Sequence, residues 1–129
     1  MVIDTSAIIA IILGETAEPR LLARIEAASV RELSMVSYVE AATVLLARNM
    51  PLARLEGFME TLAITLVPVD EAQGRAAIRA RMAYGKGTGH RARLNFGDTF
   101  TYALAKVRGA PLLFVGEDFS HTDLVSALT

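Results

Sequence analysis

The sequence has 129 residues, a formal net charge of −1 and no cysteine, and 53% of its residues are hydrophobic. This length predicts one domain spanning residues 1–129, with enough apolar residues for a core. The lack of cysteine excludes disulfides, thiolate metal sites and a cysteine nucleophile, and it favours a reducing compartment. A mean hydropathy of +0.40 predicts that another chain covers part of the apolar surface. We therefore expect a homodimer or another bound partner.

The apolar N-terminus lacks the features of an export signal and of a membrane anchor. A signal peptide begins with a cationic segment, whereas the first Lys or Arg of this chain is Arg20. The longest uninterrupted apolar segment, Ala7 to Leu13, is far shorter than the roughly 20 residues that span a bilayer. We therefore expect no membrane association and a cytoplasmic location.

Short apolar segments alternate along the chain with longer segments of helical periodicity. The predicted strands are Met1–Asp4, Leu33–Val36, Ile64–Val69 and Leu112–Val115. The predicted helices are Ser6–Leu13, Glu18–Ala28, Tyr38–Arg48, Leu52–Leu62, Glu71–Tyr84 and Phe96–Val107, with a short helix after Ser120. Strands that are apolar on both faces and separated by crossover helices are typical of parallel sheets. The pattern predicts an α/β fold with helices on both faces of the sheet.

Four acidic residues are predicted at the same edge of this sheet. Asp4 ends the first strand, and Glu40 begins the helix that follows the second. Asp118 follows the fourth strand, and Asp98 opens the helix before that strand. Ligands of open parallel sheets bind outside the carboxyl ends of the strands, and no cation of the chain is obviously placed among these acids. Such a cluster repels itself unless a cation fills it, so the pattern predicts a metal site.

The donor types indicate which metal and which chemistry. Carboxylate oxygens without His or Cys ligands suit Mg²⁺ or Mn²⁺. One such ion, or two, can lower the pKa of a water for attack on phosphorus and stabilise the leaving oxygen. The predicted site therefore indicates metal-assisted phosphoryl transfer.

A basic segment between Gly74 and Gly97 contains no Asp or Glu. A run of charge is often a solvated helix face and loop, but the complete absence of acids favours an anion-binding surface. Beside a phosphoryl-transfer site, the expected anion is the phosphate backbone of a nucleic acid, with Tyr84 and Phe96 as candidates for base stacking. The candidate nucleic-acid-binding residues are Arg75, Arg79, Arg81, Lys86, Arg91 and Arg93.

Each acid also has a structural interpretation as a helix cap. Ser37–Glu40 and Asn95–Asp98 have the spacing of a capping box, and Ser120–Asp123 repeats it. Asp4 can cap the helix that follows it. Caps have no reason to gather at one edge of a sheet, so the shared location of the acids favours the metal site.

Four segments resemble motifs of PIN-domain proteins, specifically the VapC-type toxins of bacterial toxin–antitoxin pairs. They are MVIDTSAIIAIILGE, SYVEAATVL, LNFGDTFTYALAK and PLLFVGEDFSHTDL, and the resemblance spans the whole chain. It implies a three-layer α/β/α sandwich with a short parallel sheet, endoribonuclease activity that depends on Mg²⁺ or Mn²⁺, and inhibition by a VapB-type antitoxin. The implied metal-site acids are Asp4, Glu40, Asp98 and Asp118. The neighbouring polar groups that orient carboxylates or water are Thr5, Ser6 and Thr99.

The same resemblance defines the expected reaction. We expect hydrolysis of RNA phosphodiester bonds without a covalent enzyme intermediate, giving 5′-phosphate and 3′-hydroxyl ends. The first substrates to consider are tRNA and ribosomal RNA. Asp4 and Asp98 are expected to touch the ion, and Glu40 and Asp118 to act through water or only with substrate bound. Glu117 is the alternative to Asp118, and Asp123 is a weaker candidate. The rival function is a catalytically silent PIN-fold module that binds RNA or a partner.

Two segments predict where an antitoxin helix binds. EPRLLARIEAA and PLARLEGFMETLA can each place Leu, Ile and Met on one helical face. An apolar groove between two such faces is a common docking site for an amphipathic helix. We expect the chain expressed without its antitoxin to arrest growth or to be poorly soluble.

Overall fold

The computed structural model describes residues 1–128 and contains a four-stranded sheet. The strands are β1 (Val2–Ile3), β2 (Glu32–Ser34), β3 (Thr65–Val67) and β4 (Leu112–Leu113). All neighbouring strands are parallel, and their order is β3-β2-β1-β4. The predicted parallel sheet is confirmed, although each strand is shorter than its predicted segment and β2 begins one residue earlier than predicted, at Glu32.

Six α-helices connect and flank these strands within the described residues. They are α1 (Thr5–Ile12), α2 (Glu18–Ala27), α3 (Met35–Ala47), α4 (Leu52–Thr61), α5 (Glu71–Tyr84) and α6 (Phe96–Arg108). Their predicted ends agree within one residue except at the start of α3. Over residues 1–128, no helix combines the length and apolar composition needed to cross a bilayer.

The sheet lies between two layers of helices. Successive residues of a strand face opposite sides of a sheet, and Ile3 and Leu113 accordingly belong to one apolar core, with residues of α1 to α4. Val2 and Leu112 belong to a second core, with residues of α5 and α6. This arrangement is the predicted three-layer α/β/α sandwich, and it brings the carboxyl ends of β1, β2 and β4 to one edge.

The boundary between β2 and α3 differs from the prediction, which extended the strand to Val36. Helix α3 begins at Met35, because the Ser34 side chain accepts a hydrogen bond from the Val36 N–H and caps the helix. Apolar residues such as Met35 and Val36 suit a buried strand or a first helical turn, so periodicity alone misplaced the boundary. Ser37 and Glu40 therefore lie inside α3 and not at its start.

The short helix predicted after Ser120 is also wrong. A 3-10 helix spans Asp118–His121, one turn earlier than predicted. The following segment is extended beside β4: the Leu112 N–H donates to Val125 O, and the Ala127 N–H donates to Leu112 O, both at 2.9 Å. These bonds satisfy backbone groups that β4 would otherwise leave unpaired at the sheet edge.

The apolar side chains predicted to line an antitoxin groove on α2 and α4 belong largely to the core. Leu21, Ile25 and Leu55 are fully buried, and Met59 is 6% exposed. The prediction of a free groove made by these residues is therefore wrong, because both helices turn the apolar face inward. Exposed apolar residues do exist elsewhere, and the most exposed are Ile78, Met82, Phe96 and Val125.

Candidate active site

Asp4 lies at the carboxyl end of β1, where the chain enters α1. Its Oδ2 atom accepts hydrogen bonds from the Ser6 N–H at 3.0 Å and from Ser6 Oγ at 2.6 Å. Its Oδ1 atom accepts a hydrogen bond from Thr101 Oγ1 of α6 at 3.0 Å. Asp4 is only 5% exposed, and burial of a carboxylate is costly without such donors. Asp4 is therefore a buried acid held by the start of α1 and by α6.

Glu40 reaches from the middle of α3 to the first turn of α6. A Cβ atom at position 97 would lie 2.3 Å from Glu40 Oε2, so the glycine at that position leaves the room that the carboxylate occupies. Thr5 Oγ1 donates to Ser37 O at 3.0 Å and lies 3.4 Å from Glu40 Oε1. Burial raises the pKa of Glu40, and the charge of Asp4 raises it further. Glu40 is thus half-buried and close to Asp4 and α6.

Asp98 forms a reciprocal capping box with Asn95 at the start of α6. The Asp98 N–H donates to Asn95 Oδ1 at 2.9 Å, and the Asn95 N–H donates to Asp98 Oδ2 at 3.0 Å. Burial raises the pKa of Asp98 to about 6 despite the opposing hydrogen bond from Asn95. The charges of Asp4, Asp118 and Glu40 add to this rise. Asp98 is therefore coupled electrostatically to the other three predicted acids.

Asp118 is exposed and begins the 3-10 helix after β4. Its charge contributes to the raised pKa of Asp98, whereas Glu117 is not among the groups that do so. Of the two neighbouring acids, Asp118 is the one whose charge acts on Asp98.

Asp123 belongs to a different cluster. Its Oδ1 atom accepts a hydrogen bond from the Tyr102 hydroxyl, and its Oδ2 atom accepts one from Lys106 Nζ, both at 2.6 Å. Both donors lie on α6, so Asp123 attaches the C-terminal segment to that helix. The capping box expected at Ser120–Asp123 is wrong, because Ser120 Oγ donates to Glu117 O in the 3-10 helix.

The capping interpretation is confirmed for two of the four acids and wrong for a third. Asp4 caps α1, and Asp98 completes the capping box of α6. Glu40 does not cap, because α3 begins five residues before it. Capping and membership of the acidic cluster are therefore compatible: Asp4 and Asp98 use side-chain oxygens as caps while their charges remain at the same edge.

The three predicted supporting residues have different surroundings. Ser6 and Thr5 contact Asp4 and Glu40, respectively. Thr99 Oγ1 instead donates to Phe96 O at 2.6 Å within α6. Three further residues of the site were missed: Gly97, which makes room for Glu40, and the buried hydroxyls of Ser37 and Thr101. Their only signal in the sequence is a position one residue, or one helical turn, from a predicted acid.

The donors at this edge fit a hard divalent cation. All four predicted ligands are carboxylates, the ligand type that Mg²⁺ and Mn²⁺ prefer. Within residues 1–128, none of the four forms an ion pair with Lys, Arg or His. In the same residues, no three His, Asp or Glu side chains are already gathered as a preformed metal cage. Mg²⁺ usually binds through one or two carboxylates and several waters.

A groove of about 900 Å³ lies between α5 and the start of α6. Ile78, Met82 and Phe96 give it an apolar lining, and Asn95 and Thr99 bring it to the turn that contains Asp98. Its cations are Arg75, Arg81 and Lys86, of which Arg75 pairs with Glu71 at 2.8 Å. We call this the cationic groove. The other three predicted RNA-binding residues, Arg79, Arg91 and Arg93, are exposed but do not line it.

A second groove, of about 790 Å³, lies between α3 and the start of α6. Phe96 lines both grooves and is 77% exposed. The rest of its lining is largely apolar and includes Met35, Val39, Val44 and Val69, and Glu40 is its one charged residue. We call it the apolar groove. The two grooves meet at Phe96 and differ in charge. Phe96 lies two residues before Asp98, next to the sheet edge that carries the four predicted acids, which we call the acidic edge.

Comparison with known proteins gives consistent matches over nearly the whole chain. A sequence model described as the PIN domain matches residues 1–125. Ribonuclease VapC30 of Mycobacterium tuberculosis is 48% identical over 128 residues, which are 98% of this chain and 97% of that protein.

Two solved structures have a similar fold. Mycobacterium tuberculosis VapC20, described as a sarcin–ricin loop cleaving toxin, superposes with a TM-score of 0.75 at 20% identity, covering 96% of this chain and 95% of that one. A chain of a toxin–antitoxin complex from Klebsiella pneumoniae superposes with a TM-score of 0.71 at 16% identity, covering 98% and 96%. Both support the α/β/α architecture.

Proposed function

Because the chain belongs to the PIN-domain family and to its VapC-type ribonucleases, we propose that it is a cytoplasmic endoribonuclease toxin that depends on Mg²⁺ or Mn²⁺. The observation that carries the proposal is the convergence of Asp4, Glu40, Asp98 and Asp118 from four separate elements. Their mutual repulsion contributes to the pKa of about 6 at Asp98. A divalent cation at this edge relieves that repulsion.

The four acids have different roles in this proposal. Asp4 and Asp98 would hold the ion, because each has one carboxylate oxygen already fixed by a cap and a position at the sheet edge. Glu40 and Asp118 would orient water or act once RNA is bound. The chemistry that a bound ion would supply at these residues is a lowered pKa of a bound water and stabilisation of the leaving oxygen. The products are a 5′-phosphate and a 3′-hydroxyl.

Melting curves with EDTA and with Mn²⁺, paired with an RNA cleavage assay, test this proposal. Mn²⁺ stabilises the parent by roughly 2.7 kcal/mol at a hundredfold excess over its dissociation constant. Asp98→Asn and Glu40→Gln retain the shape of the side chain but remove a charge, so each responds distinctly less. Asp123→Asn is the matched control, because Asp123 is paired with Lys106.

Two outcomes contradict the proposal. If both variants respond to Mn²⁺ and cut RNA as the parent does, the acids serve only the fold. If the parent binds Mn²⁺ but leaves RNA intact under all conditions, the catalytically silent binding module is the correct function.

The cationic groove is the proposed path of the RNA backbone. Arg81 and Lys86 line it without an acidic partner among residues 1–128, and the groove leads to the start of α6. Replacing both with Ala is expected to flatten the salt dependence of RNA binding by about 0.7 per lost phosphate contact, with a smaller effect on cleavage at saturating RNA. Arg48→Ala, at the end of α3 and outside the groove, is the control. An unchanged salt slope removes the groove from the RNA path.

The RNA substrate is expected to be tRNA or ribosomal RNA. Sequencing of the 5′ ends of cellular RNA after brief induction identifies the cleaved molecule and the position of the cut. Cuts distributed evenly over messenger RNA contradict this expectation.

A VapB-type antitoxin is the proposed partner, and a second copy of the chain is proposed to cover the apolar groove. The support for a second copy is the exposure of Val39 and Phe96, at 55% and 77%, in a groove without Lys or Arg. Val39→Asp should convert a dimer into a monomer in light scattering, whereas the exposed polar change Thr61→Asp should not. Co-expression with the antitoxin should relieve growth arrest. A harmless, monomeric parent contradicts both proposals.

A further inference from the structure

Asp4 accepts a hydrogen bond from the first of two linked, buried hydroxyl groups. Thr101 Oγ1 donates to Asp4 Oδ1 at 3.0 Å, and Ser37 Oγ lies 2.8 Å from Thr101 Oγ1. A hydroxyl has a single proton to donate, and Thr101 donates its proton to Asp4. Ser37 must therefore be the donor to Thr101. Both hydroxyl residues are fully buried, so water does not replace either bond.

These hydrogen bonds connect Asp4 to the elements that carry the other acids. Ser37 lies on α3 one turn before Glu40, and Thr101 lies on α6 one turn after Asp98. On the other oxygen, Ser6 Oγ donates to Asp4 Oδ2 and accepts from the Val115 N–H at 3.0 Å. Val115 precedes Asp118 by three residues. Asp4 is therefore connected through Thr101 and Ser37 to the helices that carry Asp98 and Glu40, and through Ser6 to the segment that precedes Asp118.

We propose that Ser37 and Thr101 are positioning residues, which orient Asp4 Oδ1 and set the spacing of α3 and α6 at the metal site. The inference rests on the proposed function. Linked hydrogen bonds polarise one another, so the donation from Ser37 strengthens the bond that Thr101 makes to Asp4. Partners that orient a metal ligand commonly change metal affinity 10–100-fold when they are removed.

Mn²⁺ binding measured by electron paramagnetic resonance tests the proposal without requiring cleavage. Thr101→Val keeps the shape of the side chain but removes the donor, and we expect its Mn²⁺ dissociation constant to rise about 10–100-fold. Thr101→Ser keeps the hydroxyl and should bind nearly as the parent does. Thr43→Val is the control, because Thr43 Oγ1 donates only to Val39 O of its own helix. RNA cleavage should require correspondingly more Mn²⁺ in Thr101→Val.

Ser37→Ala tests whether Ser37 acts on Asp4 through Thr101, which we call the relay, or whether Ser37 and Thr101 act independently. Ser37 acts through Thr101, so Ser37→Ala should weaken Mn²⁺ binding less than Thr101→Val. The double variant should then bind no more weakly than Thr101→Val alone, because coupled residues are not additive. If Thr101→Val does not fold, weaker Mn²⁺ binding by a folded Ser37→Ala supports the relay, and unchanged binding overturns it.

The failure of this inference differs from the failure of the proposed function. A parent that binds Mn²⁺ together with a Thr101→Val variant of equal affinity overturns only the positioning role, even if the variant melts at a lower temperature. Additive losses in the double variant also overturn the relay. A parent that does not bind Mn²⁺ overturns the proposed function and, with it, the inference.

Discussion

Asp98 lies in the first turn of α6, and Asp123 is bonded to side chains of the same helix. The two carboxylates nevertheless have opposite electrostatic surroundings. Burial raises the pKa of Asp123, but hydrogen bonds from Lys106 and Tyr102 outweigh it, and the pKa is lowered. At Asp98, burial and three neighbouring acids raise the pKa to about 6. The fold supplies a cation to Asp123 and none to Asp98 among residues 1–128. The difference shows that position in the fold, and not residue type, separates a structural acid from a candidate ligand.

The donors of Asp123 respond to it in turn. Burial and the bond to Asp123 raise the pKa of Tyr102, and the bond to Asp123 raises the pKa of Lys106. The three groups therefore satisfy one another's charge and hydrogen bonds, and they attach the segment around Asp123 to α6. Within residues 1–128, the four acids at the sheet edge have no Lys, Arg or His partner, so the repulsion between their charges is not neutralised.

The largest predicted difference concerns cleavage. Asp98→Asn should lower the rate of RNA cleavage at saturating Mn²⁺ by about 100-fold or more, since even partners that only orient a metal ligand account for 10–100-fold. Asp123→Asn should change this rate little, because Asp123 is paired with Lys106. Single-turnover cleavage of one RNA by parent and variants measures the difference. Equal losses of cleavage rate in the two variants would contradict the assignment of Asp98 as a candidate ligand and Asp123 as a structural acid.

The second prediction is that the two acids give stability opposite dependences on pH. The folded-state pKa of Asp98, about 6, lies above the ordinary value of 3.8, so the folded protein binds more protons between these values. Without metal, this contribution to the free energy of unfolding falls as pH rises through that window. Asp123, with a lowered pKa, instead contributes stability that is lost as pH falls below its ordinary value.

Urea unfolding in EDTA at pH 4.5 and pH 7 measures the contribution of Asp98. In the parent, titration of Asp98 lowers the free energy of unfolding between pH 4.5 and pH 7, and Asp98→Asn should lack this loss. Added Mn²⁺ should reduce it in the parent as well, because metal and protons compete for the same carboxylates. Identical pH profiles for parent and Asp98→Asn would show that Asp98 titrates as an ordinary carboxyl.

The smallest expected effect concerns stability at neutral pH. Asp123→Asn removes the ion pair with Lys106 and weakens the bond to Tyr102, and the expected loss is about 1 kcal/mol or less, because the pair is half-exposed and screened by solvent. Asp98→Asn in EDTA should be as stable as the parent or more so, because one like charge leaves the acidic edge. Thermal melts of both variants in EDTA make the measurement. A larger loss for Asp98→Asn would mean that capping dominates its role.

Much of the fold was predictable because its signals are local. Helix ends are set by side chains that bond to a backbone N–H two or three residues away, as at Asp4 and Asn95. The acidic edge was predictable for a different reason: parallel strands necessarily align their carboxyl ends. Both rules need only the order of elements along the chain. The rule of helix capping failed at Ser37–Glu40, where the helix starts earlier, and at Ser120–Asp123, where Ser120 Oγ donates to Glu117 O.

Contacts between distant elements were not predictable from the sequence. Thr101 and Asp4 are 97 residues apart and Ser37 and Thr101 are 64 residues apart, so no local pattern marks them as partners. The same holds for Gly97, which matters because α3 directs Glu40 into the space beside it. The surroundings of Glu117 and Asp118 likewise depend on how the turn after β4 is oriented towards Asp98, which no local pattern shows.

The sequence by itself therefore determined the layers, the strand directions and the presence of four acids at one edge. These follow from hydrophobic periodicity and capping, which act within one or two helical turns. Only the tertiary structure decided which hydroxyls hold Asp4, which acid is neutralised by Lys106, and which apolar faces remain exposed on α3, α5 and α6. Those features depend on how helices far apart in sequence pack against the sheet, because burial and electrostatic coupling are properties of distance in space.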